Sequence, residues 1–274
     1  MKTGKTIKNK SFREIKKVYP PRAKKISFLE WNNNIFIDSI KKIDLNIILI
    51  VILDFLFYLL SGYLVVSWLQ RIQAKMAAFN LPTDVVSLGY EKAQQLVGEV
   101  KSFYLLIIFS FILLLLAIIF LASILKGIIW AKTTKTKITF KLISKFLGLN
   151  LIWMGFWFLL VFLISLLVQP ASAPIFMVIT ITLGLYFTNT LYTIFMKEQK
   201  LKSIISAIKL NFAKIHLFLL PYAVISLLFF IIMRLNTLFK FSYSNVLFSL
   251  MLLVYAALVR YYISALVLKI VQQK

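Results

Sequence analysis

Residues 45–69 read LNIILIVILDFLFYLLSGYLVVSWL, an apolar run broken by a single charge, Asp54. A helix rising 1.5 Å per residue needs about 20 mostly apolar residues to cross the roughly 30 Å hydrocarbon core of a bilayer. This run is long enough. It is also longer than the apolar part of a cleaved leader, about 7–15 residues, and a long basic lead precedes it. It is therefore expected to remain in the membrane.

Five further runs of the same kind follow. Residues 102–125, 146–168 and 174–196 carry no charge, residues 217–235 are apolar up to Arg234, and residues 244–268 carry only Arg260. The composition agrees. The chain has 274 residues, 61% of them hydrophobic and 15% charged, against about 45–50% and about 25% in soluble domains. Mean hydropathy is +0.90. A water-soluble globular fold and a disordered chain, which needs low hydrophobicity, are both excluded. The expected fold is all-α, a polytopic integral membrane protein. Its six transmembrane helices are expected to form three hairpins with cytoplasmic interfacial amphipathic helices. A basic tail over residues 1–34 precedes the membrane domain over 35–274.

Charge sets the expected orientation. Lys and Arg number 32 against nine Asp and Glu, a formal charge of +23. Twelve of the basic residues precede the first span. Six lie in residues 126–145, five in 197–214 and three in the last span and tail, which places 26 on one face. The other face receives Arg71, Lys75, Lys92, Lys101, Arg234 and Lys240. Cytoplasmic loops carry the excess of Lys and Arg. Both termini are therefore expected in the cytoplasm of a multi-pass cell-membrane protein. The neutral turn over residues 170–174 then lies outside. Nucleic acid is not the expected partner of the basic residues, since no RNA-binding motif accompanies them. Lysine outweighs arginine, and Ile, Asn and Phe are abundant, a composition that points to an AT-rich genome and a prokaryotic source.

The inner loops are more than charged. Residues 132–146 interleave Ile138, Leu142, Ile143 and Phe146 with Lys135, Lys137, Lys141 and Lys145. Residues 200–216 interleave Leu201, Ile204, Ile205, Ile208, Phe212 and Ile215 with Lys202, Lys209 and Lys214. Both read as basic amphipathic helices against anionic headgroups. Residues 35–45 read likewise, with Ile37, Ile40 and Ile43. Each leads into a span, so the chain reads as three copies of surface helix, span, outer turn and span. At an offset of 104 residues Lys41, Leu45 and Asn46 fall on Lys145, Leu149 and Asn150. A further 66 place Asn150 over His216. Asn46, Asn150 and His216 are expected at the bends, hydrogen-bonding exposed backbone groups or headgroups.

These stretches, residues 140–153 and 204–217 with 37–48 fainter, resemble the membrane domains found beside glycerophosphoryl diester phosphodiesterases and their stand-alone relatives. The resemblance implies a six-span, non-catalytic membrane domain. The soluble phosphodiesterase domain and its acidic and His metal site are absent from the sequence, and no catalytic residue carries over.

The outer loop over residues 70–101 holds a further amphipathic pattern. After Pro82, Thr83 is a capping residue, Asp84 suits a first turn, and Val86, Ala93, Leu96, Val97 and Val100 recur at helical spacing. A helix lying on the bilayer or capping the bundle is expected there.

Polar residues inside spans are costly, and a functional role is the default hypothesis for them. Asp54 lies about 13 Å and Arg260 about 12 Å from the inner ends of the first and last spans, counting 1.5 Å per residue. An ion pair closing the bundle is expected. The alternatives are an Arg260 that snorkels alone and an Asp54 that couples a proton or cation in a small-solute or ion permease. Asn189 is the further polar candidate for such a site, with Thr182, Thr188, Thr190 and Tyr192 on the same span and Ser61 and Tyr63 on the first. Ordinary interhelical packing is the competing role for all of them.

No catalytic residues, cofactor or metal site are expected. Without cysteine there is no thiolate ligand or nucleophile, and with His216 as the only histidine no two-histidine motif exists. Neither a P-loop nor a dinucleotide fingerprint occurs. The expected function is that of a non-enzymatic membrane scaffold, subunit or envelope-biogenesis helper. Its expected partners are anionic lipid headgroups, a membrane protein partner or further copies of the chain.

Overall fold

A computed structural model describes residues 27–77, 90–238 and 243–272. Among these the chain is all-helical, with eight helices. They are α1 (Phe28–Lys41), α2 (Asn46–Ala77), α3 (Tyr90–Thr133), α4 (Phe140–Leu167), α5 (Ala173–Glu198), α6 (Ser203–Ala213), α7 (Ile215–Leu238) and α8 (Ser244–Gln272). Six of them, α2, α3, α4, α5, α7 and α8, are long and apolar enough to cross a membrane.

Local chemistry sets the helix ends. Ser27 caps α1 by accepting from the Glu30 N–H at 3.1 Å, and Thr139 caps α4 by accepting from the Leu142 N–H at 3.1 Å. Pro174 sits in the first turn of α5, where its missing N–H costs nothing. Gln199 closes the same helix in the left-handed conformation, φ 53°. Lys135 adopts φ 56° in the turn between α3 and α4. Pro221 lies within α7, which continues through it.

Several boundaries differ from the sequence expectation. α1 begins at Phe28, so the division between a tail and a membrane domain at residue 34 falls inside a helix. Its Ile35 and Asn32 are buried, and Phe36 meets the Tyr262 ring edge-on at 5.8 Å. Residues 132–146 do not form one surface helix. Lys132 and Thr133 finish α3, and Phe140 opens an α4 that runs unbroken past Asn150. Residues 90–101 continue α3 in one helix instead of forming a separate amphipathic helix, so α3 extends about 18 Å beyond residue 102. The Pro82, Thr83, Asp84 and Val86 part of that expectation lies outside the described residues.

α3, α5 and α8 touch one another. α2 rests on α3 and α8, α4 on α3 and α5, and α7 on α8. α1 packs on α8 and α6 on α5. The buried core gathers toward one end of the long helices. It includes Trp130, Leu142, Phe146, Leu149, Leu191, Phe195, Leu210, Phe218, Ile263 and Leu266. Farther along the same helices Phe109, Leu159, Leu166, Ile175, Phe230 and Val246 are exposed. In lipid an apolar side chain gains little by leaving hydrocarbon for protein, so helix contact is driven by packing and polar bonds instead. The core lies where those bonds lie.

Helix α6 shows the same rule at small scale. Its buried stripe is Ser203, Ala207, Leu210 and Asn211, while Ile205 and Phe212 face outward. Small residues let α6 approach α5 closely.

Candidate functional site

Asp54, Lys126 and Arg260 meet between α2, α3 and α8. Asp54 is fully buried. Its Oδ1 accepts from Lys126 Nζ at 2.5 Å, and its Oδ2 lies 2.5 Å from Arg260 Nη1. The second contact is an ion pair without hydrogen-bond alignment. Lys126 Nζ also lies over the rings of Phe57 and Tyr58, at 4.5 and 4.9 Å from their centres. Each carboxylate oxygen thus faces one cation, and the cluster carries one positive charge in excess.

Asp54 and Arg260 are the pair singled out from the sequence, and the structure brings them together. The sequence places Lys126 in an inner loop, because an apolar run closes at its first charge. The signal that finds it is register. Antiparallel neighbours pair residues whose numbers sum to a near-constant value. Trp68 Nε1 donates to Ser110 Oγ at 3.0 Å across α2 and α3, and the same register sets Lys126 beside Asp54.

A second polar network is buried nearby. Tyr192 donates to Asn150 Oδ1 at 2.7 Å, Asn150 Nδ2 donates to Ser123 Oγ at 3.0 Å, and Ser123 donates to the Ile119 carbonyl at 2.6 Å. This chain ties α5, α4 and α3 together. Asn150 is therefore an interhelical link, not a residue at a bend, since no bend exists there to satisfy.

The other junction residues differ again. Asn46 opens α2, and it is its backbone N–H that is capped, by Asp44 Oδ1 at 3.1 Å. Asp44 also pairs with Lys135 at 3.7 Å and accepts from the Tyr261 hydroxyl at 3.3 Å. The hydrogen bond to Asn46, aided by Lys135 and Tyr261 against some desolvation, holds the Asp44 carboxyl below its ordinary value. His216 stands in the first turn of α7, exposed, just past the break at Lys214.

Asn189 does not join the ionic cluster. It is half-buried on α5 beside the Tyr222 hydroxyl. Thr182 and Thr190 return their hydroxyls to carbonyls one turn back on α5, at 2.8 and 3.4 Å, and Thr188 accepts from Trp153 at 2.8 Å. These are packing bonds. Tyr63 is exposed.

The lysines expected at headgroups lie at the packed end of the bundle. Lys135, Lys137, Lys141, Lys145, Lys202 and Lys209 are exposed and Lys214 is half-buried. Lys145 donates to the Gln199 carbonyl at 3.1 Å. Glu198 is engaged by Ser203 at 2.8 Å. Among the described residues no three His, Asp or Glu side chains gather at one point.

The chain matches no protein-family model, no curated protein and no solved structure.

Proposed function

We propose that the chain is a non-enzymatic multi-pass protein of the cell membrane that works through lipid or protein contacts, as a scaffold, a subunit or a helper of envelope biogenesis. In this reading the lysine-rich end and both termini face the cytoplasm. The observation that carries it is the row of exposed lysines at the packed end, Lys135, Lys137, Lys141, Lys145, Lys202 and Lys209, of which only Lys135 has an acidic partner, Asp44, among the described residues. Each basic residue near an anionic leaflet is worth about 1 kcal/mol of attraction.

The reading includes three related units, α1–α2–α3, α4–α5 and α6–α7–α8, each closing with one of the three mutually touching helices. Support comes from the contacts of the leading elements. α1 rests on α8, α4 on α3 and α6 on α5, so each unit begins on the closing helix of another. A six-span membrane domain without catalysis is also what the resemblance to the domains beside glycerophosphoryl diester phosphodiesterases implies.

The test is headgroup preference. Full-length protein is reconstituted with brominated phosphatidylglycerol or brominated phosphatidylcholine, and quenching of its tryptophans is measured at low and high salt. Phosphatidylglycerol is expected to be preferred at low salt, and changing the six exposed lysines to Gln is expected to abolish the preference. Equal quenching by both lipids in the native protein removes the lipid half of the proposal. Isolation from the host in mild detergent without a stoichiometric partner removes the protein half.

A second reading, a small-solute or ion permease, draws on one observation, the meeting of three ionised side chains inside spans. Single cysteines placed around Asp54 discriminate the two, because the chain has no cysteine of its own. Labelling by a water-soluble reagent from both sides favours the permease.

A further inference from the structure

The ionic cluster is unbalanced. Among the described residues Asp54 is the only carboxylate within ion-pairing distance of Lys126 or Arg260. Two cations therefore share one anion at a depth where unpaired charge is costly. The uncompensated side of the cluster is also the less deeply buried one. Asp54 is 0% exposed, whereas the side chains of Lys126 and Arg260 are 16% and 9% exposed. Donors remain unused. Lys126 directs only one of its three N–H bonds at Asp54, while Arg260 Nη1 is buried against Asp54 Oδ2, which leaves the rest of the guanidinium fork for another partner. Along α3, Lys126 lies about 9 Å from Lys132, which is the last basic residue of that helix.

We propose that Lys126 and Arg260, held in place by Asp54, bind one phosphate-type oxyanion between α2, α3 and α8. The guanidinium fork matches two oxygens of such a group, the ammonium supplies a third contact, and one negative charge balances the cluster. The same chemistry is offered by a phospholipid headgroup and by free inorganic phosphate. The inference rests on the membrane reading above and not on the exposed lysines.

The test uses full-length protein in a neutral maltoside detergent. Native mass spectrometry counts phosphatidylglycerol bound per chain, with phosphatidylcholine as comparison. In parallel, the unfolding temperature is followed in inorganic phosphate and in chloride at equal ionic strength. One tightly held phosphatidylglycerol with no phosphate effect assigns the site to a headgroup. A phosphate-dependent rise in unfolding temperature assigns it to a free oxyanion. Lys126→Met leaves Asp54 and Arg260 as a balanced pair and is expected to weaken binding about tenfold or more. Arg260→Lys keeps the charge but loses the fork, and is expected to bind with intermediate affinity. The variant with six exposed lysines changed to Gln is expected to keep this one site, which separates it from the headgroup preference proposed above. No binding of either probe to the native protein overturns the inference. So does unchanged affinity in a Lys126→Met protein that remains helical and monodisperse.

Discussion

Arg260 Nη1 stands 2.5 Å from Asp54 Oδ2, which joins the last membrane-crossing helix to the first. With Lys126 on the other carboxylate oxygen, Asp54 holds α3 and α8 against α2. The first and last of these helices meet directly, and their seam is ionic.

Removing the carboxylate leaves two buried cations facing each other. Asp54→Asn is expected to destabilise the protein by about 3–5 kcal/mol, the usual cost of breaking a buried pair from one side. Exchanging the charges, Asp54→Arg with Arg260→Asp, is expected to recover part of this loss. Thermal unfolding in detergent, followed by circular dichroism, reads both effects. Strict additivity of the two single changes sinks the seam interpretation.

Asn150 is satisfied on both sides of its amide, by Tyr192 and Ser123. Asn150→Ala is expected to cost about 1–3 kcal/mol, because it leaves the buried Tyr192 hydroxyl without an acceptor. Tyr192→Phe in the same protein is then expected to add little. A double-mutant cycle on unfolding free energy checks this coupling, and independent losses would show that the bond contributes nothing.

Gly127 faces α4. A Cβ there would lie 2.9 Å from Ile143 Cδ1 and 3.1 Å from Phe146 Cδ1. The Ile143 methyl can rotate away, but the fully buried Phe146 ring cannot. Gly127→Ala is expected to destabilise by about 1–3 kcal/mol despite the better helix propensity of alanine. Gly155→Ala, with open space around it, is expected to be neutral or slightly stabilising. Comparing the unfolding temperatures of the two variants decides the point, and a stable Gly127→Ala would place α3 and α4 farther apart.

Asp44 gives a pH dependence of definite sign. Its carboxyl is held below the ordinary value of 3.8, first by the Asn46 bond. A carboxyl lowered in the folded state stabilises fully above its unfolded value, and that contribution is lost as pH falls through the folded value. Native protein and Asp44→Asn are therefore expected to differ in unfolding temperature near neutrality and to converge as pH falls below 3.8. A gap that stays constant through that range removes the ionic role of Asp44.

Much of this protein is legible in residue order alone. Six apolar runs indicate six crossings, since the cost of placing a segment in hydrocarbon is a sum over its own residues and needs no knowledge of neighbours. The same sum marks Asp54 and Arg260 as residues that require partners. The sequence could not say which partners, nor how many. Lys126 joins the cluster because α3 continues through it to Thr133 and pairs in register with α2, yet an apolar run counted by itself ends at Leu125. The sequence pattern makes Asn150 a bend residue, because an amphipathic stretch precedes it. Tertiary packing instead extends α4 through that position and seats its amide between Ser123 and Tyr192. Burial in lipid is decided by composition along one segment. Hydrogen bonds and ion pairs between helices are decided by which faces meet, and that depends on contacts between residues far apart in the chain.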